Sequence, residues 1–305
     1  MRFSLACVVL AVLAAFPSAA GATWPGKPGP IVYSALDDDD EGARDGIYAI
    51  GPDGSRNRRI ARRATGDVAS SRDGKQIAFF RSGSELWQAR SDGSRARRVL
   101  RLQDGSGSDP AWSPSGRQLV FTLTVGRLVG DNEEVIEMQE VWVVRRGGGG
   151  LRMLHRGHAA TWSSRGLIAF AEEDGLVATI RPNGRGRRVR VRQRRAAVVT
   201  ELDFSPNGRR LVYLQSTRRL TKSAIHTVNL RTGGHTSFRD STRQVSARDV
   251  AWAPSSDRLA YAHRGPGNGP SQLRTIRPNG TGIRTLVDFP SGLTPFGFAW
   301  PTRRP

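Results

Sequence analysis

Short apolar segments alternate with short polar turns along most of the chain. Typical segments are "KQIAFF" at 75–80 and "RQLVFTL" at 117–123, each preceded by a turn containing Ser, Asp, Pro or Gly. Apolar runs of this length, rich in Val, Ile and Phe and bounded by turn residues, indicate β-strands joined by tight turns. The pattern therefore predicts an all-β protein.

The strand pattern repeats along the chain. The clearest copy is "DPAWSPSGRQLVF" from Asp109, and similar copies are "DVASSRDGKQIAF", "AATWSSRGLIAF", "ELDFSPNGRRLVY" and "DVAWAPSSDRLAY". If Trp112 is the reference position, its equivalents are Ser70, Trp162, Phe204 and Trp252, at intervals of 42, 50, 42 and 48 residues. A period of this length suits a four-stranded propeller blade.

Four of the repeats also contain a second hairpin with Asp-Gly or Asn-Gly at its tip. The segments are "IYAIGPDGSRNRRI", "LWQARSDGSRARRVL", "VATIRPNGRGRRVRV" and "LRTIRPNGTGIRTL". These dipeptides favour type I′ turns, which need a positive φ at both central residues. Two hairpins per repeat give four strands per blade.

The two ends of the chain each hold part of a repeat. Three strands are predicted between Trp24 and Ser70, whereas "FGFAW" at 296–300 is a first strand with nothing after it, 48 residues beyond Trp252. We therefore expect the C-terminal strand to complete blade one and close a ring of six, which removes an open sheet edge. The alternative makes "TWPGKPGPIVY" its own first strand, but Pro25, Pro28 and Pro30 disfavour it because proline cannot donate to a sheet ladder.

The first 22 residues have the features of a secretory signal peptide. Arg2 precedes an apolar run from Leu5 to Phe16, and Ala20-Gly21-Ala22 is an A-x-A cleavage pattern. The apolar run is too short to cross a bilayer, so no transmembrane segment is expected after cleavage. The sequence predicts a signal peptide over 1–22 and a mature propeller over 23–305. The only cysteine, Cys7, would be removed with the signal peptide.

The repeated motif resembles the WD40-like PD40 repeats of TolB-type β-propellers. The resemblance rests on "PAWSPSGRQLVF", an aromatic-containing strand, "DG" or "NG", and a basic final strand, and it spans nearly all of 23–305. It implies a β-propeller that binds a protein or ligand. Together with the predicted signal peptide, this leads us to expect a monomer that is secreted, periplasmic or associated with the cell envelope. TolB-type proteins carry an α/β domain before the propeller, and here the first strand follows the predicted cleavage site closely, so the resemblance alone does not imply a role in a Tol-Pal complex.

Net charge limits the classes of partner. The formal charge is +20, almost all from arginine, and the arginine runs fall in the predicted outermost strands. Such a surface favours anionic cell-wall polymers or lipid headgroups, although charged edge strands also prevent aggregation between sheets. No helix-turn-helix, zinc-finger or RNP-like motif is present, so specific nucleic-acid binding is not expected.

The strongest candidate site comes from the repeat alignment. Three positions before the reference position stand Asp67, Asp109, Ala159, Glu201, Asp249 and Gly297. Because inner strands surround the central channel, the four carboxylates are expected near one mouth, where they would bind a cation such as Ca²⁺ or accept a basic peptide. Alternatively, each acid caps its own turn.

Other candidates are weaker. The acidic segment "LDDDDEG" at 36–42 has Tyr48 where a calcium loop needs Glu, and is expected to be a solvated loop. The five histidines lack metal-ligand spacing and are expected at the surface. Serine-elbow, zinc-protease, P-loop and Rossmann motifs are absent. The sequence thus favours a non-enzymatic binding propeller with no firmly implied cofactor; the alternative is a metal-dependent propeller hydrolase of lactonase or glycosidase type with its site in the channel.

Overall fold

A computed structural model describes residues 23–37, 44–62, 64, 66–129, 134–192, 197–217, 223–238, 246–264 and 271–303. Within these ranges the regular structure is entirely β, and no helix could span a membrane. The predicted signal peptide and most of the acidic segment at 36–42 lie outside the described residues.

The strands form six four-stranded antiparallel sheets. Blade 2 contains β4 (Val68–Ser70), β5 (Gln76–Arg81), β6 (Glu85–Arg90) and β7 (Arg97–Arg101). Blade 3 contains β8 (Ser106–Trp112), β9 (Gln118–Val129), β10 (Glu134–Arg145) and β11 (Arg152–Arg156). Blade 4 contains β12 (His158–Trp162), β13 (Ile168–Ala171), β14 (Leu176–Ile180) and β15 (Arg188–Arg192).

The remaining sheets complete the set. Blade 5 contains β16 (Ala197–Phe204), β17 (Arg210–Thr217), β18 (Ser223–Asn229) and β19 (His235–Phe238). Blade 6 contains β20 (Ser246–Trp252), β21 (Leu259–Arg264), β22 (Ser271–Ile276) and β23 (Arg284–Asp288). Blade 1 contains β24 (Leu293–Ala299), β1 (Ile31–Asp37), β2 (Gly46–Ile50) and β3 (Arg58–Arg62), in that spatial order.

The first strands of the sheets form the centre of a ring. Each contacts the next in the order β4, β8, β12, β16, β20, β24, and β24 contacts β4 again. This closed cycle places six inner strands around one axis and makes the fold a six-bladed β-propeller, as the repeat predicts. Six apolar clusters fill the interfaces between neighbouring blades, and one of them joins blades 6 and 1.

The C-terminal strand completes blade 1, as predicted. β24 pairs with β1 in antiparallel fashion, and Phe298 and Trp300 enter the cluster between blades 6 and 1. The Trp300 indole donates to the Gly29 carbonyl at 3.1 Å. The alternative first strand does not form, because residues 23–30 contain only an isolated bridge between Pro28 and Thr302.

The prediction of type I′ turns was wrong. In the first Asp-Gly hairpin, Gly54 has φ 89° and Asp53 is not in the left-handed region. Gly54 N–H donates to Gly51 O, and Gly51 N–H donates to Ser55 O. This is a three-residue loop, a type I turn followed by a left-handed glycine, in which only the glycine needs a positive φ.

Candidate functional site

The six aligned positions lie at the irregular part of the inner strands. Pairing between the first and second strands shifts register at this level in blades 1, 3, 4, 5 and 6. Asp109, Ala159, Asp249 and Gly297 have φ between 53° and 61°. A bulge with a left-handed residue turns the local backbone away from regular pairing. The repeat therefore reproduces an irregular backbone conformation as well as an acidic side chain.

The four acids, which we call the carboxylate column, are Asp67, Asp109, Glu201 and Asp249. All are buried, with at most 4% of their surface exposed. Asp67 Oδ2 accepts the backbone N–H of Asp109 at 3.0 Å, and Asp109 Oδ2 accepts the backbone N–H of Ala159 at 3.0 Å. These bonds cross from one blade to the next, so the acids also link neighbouring inner strands instead of only capping their own turns.

Glu201 is the most strongly perturbed member of the carboxylate column. Burial, followed by the negative charges of Asp249, Asp109 and Asp67, raises its pKa well above the ordinary value of 4.5. A hydrogen bond with Asp249 acts in the same direction. Glu201 Oε2 has no hydrogen-bond partner within the described part of the chain. The four acids are thus close enough to interact, in an interior where negative charge is poorly compensated.

A fifth carboxylate lies two residues further along β16. Asp203 is fully buried, and its Oδ2 accepts the backbone N–H of Trp252 at 2.8 Å and the hydroxyl of Thr23 at 2.7 Å. Burial raises the pKa of Asp203 well above its ordinary value, although these hydrogen bonds lower it in part. The sequence alignment missed Asp203, because the other blades do not repeat an acid at this position.

Residues 23–30, the N-terminal segment, close one end of the channel. Thr23 bonds to Asp203 in blade 5, the Trp24 indole lies 3.4 Å from the Ser70 carbonyl in blade 2, and Gly26 N–H donates to Pro254 in blade 6. Blades 2 and 5 are on opposite sides of the ring, so the segment crosses the axis. Trp24 is fully buried, in the cluster between blades 3 and 4. Repeat analysis could not detect this arrangement, because the segment precedes the first repeat.

The expectation of surface histidines was wrong for two residues. His158 and His263 are buried, with 5% and 3% of their surface exposed. His158 Nε2 lies 2.8 Å from the Val199 carbonyl, which can only accept, so this nitrogen carries the proton. Burial lowers the pKa of His158. His158 therefore links the inner strands of blades 4 and 5 as a neutral side chain, beside the position where Ala159 replaces an acid.

Two further features of the described residues are the arrangement of possible metal ligands and the charge of the outermost strands. Among the described residues there is no group of three or more His, Cys, Asp or Glu side chains arranged to hold a metal ion. The outermost strands β3, β7 and β15 carry arginines from the predicted runs and expose two, three and two of them, respectively. Asp37, at the edge of the acidic segment, pairs with Arg44 at 2.6 Å.

Fold and channel define the class of protein as a six-bladed β-propeller with an acid-lined axis. No protein-family model and no curated protein sequence matches the chain. Solved structures match its fold. A putative TolB from Agrobacterium tumefaciens aligns with a TM-score of 0.60 and 13% identity, over 90% of this chain and 99% of that one.

Two other solved structures have a similar fold. A chain of the nidogen/laminin complex aligns with a TM-score of 0.66 and 12% identity, over 89% of this chain and 98% of that one. An oligogalacturonate lyase in complex with manganese aligns with a TM-score of 0.55 and 13% identity, over 86% of this chain and 85% of that one. At these identities the likeness establishes the fold alone, because unrelated functions share propeller scaffolds.

The pKa of Glu201 leads to a prediction about stability and pH. A carboxyl with a raised folded pKa stabilises the fold below its ordinary pKa, and that contribution is lost as pH rises through the folded pKa. Glu201→Gln keeps the uncharged shape, so its melting temperature relative to wild type should increase between about pH 5 and pH 8, reaching roughly 3 °C or more. Thermal melts across this range, with exposed Glu173→Gln as the matched control, measure the difference. Parallel curves for wild type and Glu201→Gln would contradict the prediction.

Proposed function

We propose that the protein is a non-enzymatic binding propeller of the cell envelope, TolB-like in role, whose channel accepts a cationic group from a ligand or protein partner. The observation that carries this proposal is the convergence of four buried acids on the axis, one with an oxygen that lacks a partner among the described residues. Buried negative charge is costly unless a positive charge or several hydrogen bonds compensate it.

The depth of the carboxylate column supports a ligand that carries its charge on a narrow extension. The carboxylate column lies inside the ring, where at most 4% of each acid is exposed, so only a small group reaches it. An ammonium or guanidinium group at the end of a Lys or Arg side chain has this form and donates several hydrogen bonds. A basic peptide presents such a side chain from outside the ring.

The positive charge of the surrounding surface makes the proposed binding selective for the channel. A chain with a net charge of +20 repels basic peptides over most of its surface. Binding of a basic peptide would therefore depend on a local acidic site, and the carboxylate column is the acidic site that the repeat builds. The predicted signal peptide supports a location in the envelope or outside the cell.

Calorimetric titration tests the proposal directly. The probe is a short acetylated and amidated peptide with a single central Arg, and separate titrations use CaCl₂ and MnCl₂. We expect the peptide to bind wild type and Glu173→Gln, and its affinity to fall at least about tenfold in the double variant Glu201→Gln, Asp249→Asn, the loss of one charge-assisted contact.

The outcomes separate the alternatives. Equal affinity in the double variant would place binding elsewhere, and no peptide binding to wild type would overturn the proposal. Binding of Mn²⁺ or Ca²⁺ without peptide binding, lost in the double variant, would overturn it in favour of a metal site in the channel. Circular dichroism of each variant shows whether the ring remains folded.

A further inference from the structure

Asp203 and Thr23 form a buried polar contact at the closed end of the channel. Thr23 is 1% exposed and Asp203 is fully buried. The Thr23 hydroxyl donates to Asp203 Oδ2 at 2.7 Å, and the backbone nitrogen of Thr23 donates to the same carboxylate. Asp203 Oδ1 has no hydrogen-bond partner among the residues that the structure describes.

We infer that cleavage of the Ala22–Thr23 bond creates an α-ammonium group that forms a buried ion pair with Asp203. The step is hydrolysis by a leader-cleaving peptidase. Water adds across the peptide bond, the carboxylate remains on Ala22, and the freed amino group of Thr23 takes a proton. The nitrogen that becomes charged is the one that already donates to Asp203.

The ion pair gives the Asp203 carboxylate more hydrogen-bond donors and better charge compensation than the uncleaved chain does. An amide nitrogen donates one hydrogen bond, whereas an ammonium donates three, so the second carboxylate oxygen gains a donor. A buried carboxylate without a positive partner is disfavoured, and burial accordingly raises the pKa of Asp203. An ammonium within hydrogen-bond distance favours the charged carboxylate.

The neighbouring residues hold Thr23 in register. Trp24 is fully buried and its indole nitrogen lies 3.4 Å from the Ser70 carbonyl. Gly29 N–H donates to Pro301 O at 2.8 Å, and Arg303 N–H donates to Lys27 O at 2.6 Å, so the segment is also fixed at its other end. One additional residue would move the ammonium about 3.5 Å further along the chain. The ion pair is therefore specific to a chain that begins at Thr23.

Stability measurements on four proteins test the ion pair. They are chains beginning at Thr23 and at Ala22, each with Asp203 or with the substitution Asp203→Asn. With Asp203 present, the Thr23 chain should melt roughly 5–10 °C above the Ala22 chain, as expected when one partner of a buried ion pair is displaced. In the Asp203→Asn background, where the carboxylate charge is absent, the difference should shrink to about 1 °C, the scale of a surface change. An equal difference in both backgrounds would overturn the inference.

Amine labelling measures the reactivity of the Thr23 amino group, which melting temperatures do not report. A folded chain beginning at Thr23 is treated with an acylating reagent near pH 8, close to the ordinary pKa of an α-amino group. The exposed Lys27 and Lys75 serve as internal references. We expect the Thr23 amine to be labelled at least about tenfold more slowly than a free terminus, with labelling restored in Asp203→Asn. Rapid labelling with Asp203 present would contradict a buried ion pair.

The exported protein itself gives the remaining test. When the whole chain is expressed with export, its mature amino terminus should be Thr23 by sequencing or mass spectrometry. A mature protein that begins at any other residue would overturn the inference. The outcome is independent of the carboxylate column, because peptide binding there uses Glu201 and Asp249.

Discussion

Removal of residues 294–305 is expected to abolish cooperative folding of the ring. The deletion leaves β1 without its inner neighbour and takes Phe298 and Trp300 from the cluster between blades 6 and 1. Loss of a large buried aromatic side chain costs about 3–5 kcal/mol, and the total stability of a domain is about 5–15 kcal/mol. Two such losses plus an unpaired edge therefore leave little net stability.

Thermal unfolding followed by far- and near-ultraviolet circular dichroism measures this loss. Deletion of residues 304–305 alone is the matched control, and it should melt like the full chain. A synthetic peptide of residues 291–303, added to the truncated chain, should restore a cooperative transition by pairing with β1. A truncated chain that melts within a few degrees of wild type would show that the closure contributes little.

Trp24→Ala should produce the largest effect of any single substitution at the closed end of the channel. Trp24 is fully buried, lies in the cluster between blades 3 and 4, and is held by the Ser70 carbonyl. Truncation removes its packing and leaves a cavity between blades 3 and 4, at a cost of about 3–5 kcal/mol. At roughly 2–4 °C per kcal/mol, the melting temperature should fall by about 6–20 °C.

A second tryptophan provides the control for Trp24→Ala. Trp87 is half-buried on β6, where its indole donates to Glu85 and Arg81 lies over its ring. Trp87→Ala should lower the melting temperature by less than half as much, since much of its surface already contacts solvent. Equal effects of the two substitutions would mean that the fully buried Trp24 contributes no more to stability than the half-buried Trp87.

The blade count and the closure could be predicted because they depend on repetition. Trp112 and Trp162 mark the same position in successive blades, and Trp300 continues that spacing into the last inner strand. Each copy is weak evidence alone, but a shared period determines the architecture. The turn type could not be obtained in the same way, because Asp-Gly occurs in two-residue and three-residue loops and the flanking hydrogen bonds decide between them.

The candidate site was predictable only where it repeats. The alignment identified the positions of Asp109 and Asp249, and the structure adds that acids at this level bond across blades. Asp203 and Trp24 have no equivalents in the other repeats. Asp203 is 180 residues from its partner Thr23 in the sequence, and Trp24 is 46 residues from Ser70. Contacts of this kind depend on which inner strands meet across the axis, and a local pattern does not contain that information.

The pairing of β1 with β24 also constrains the order in which the chain folds. The two strands are separated by nearly the whole propeller, so blade 1 cannot be completed until β24 has been synthesised. Non-local pairings of this kind slow folding and prolong the lifetime of states with exposed strand edges. A nascent chain therefore carries an incomplete first blade, with an exposed edge on β1, until β24 has been synthesised.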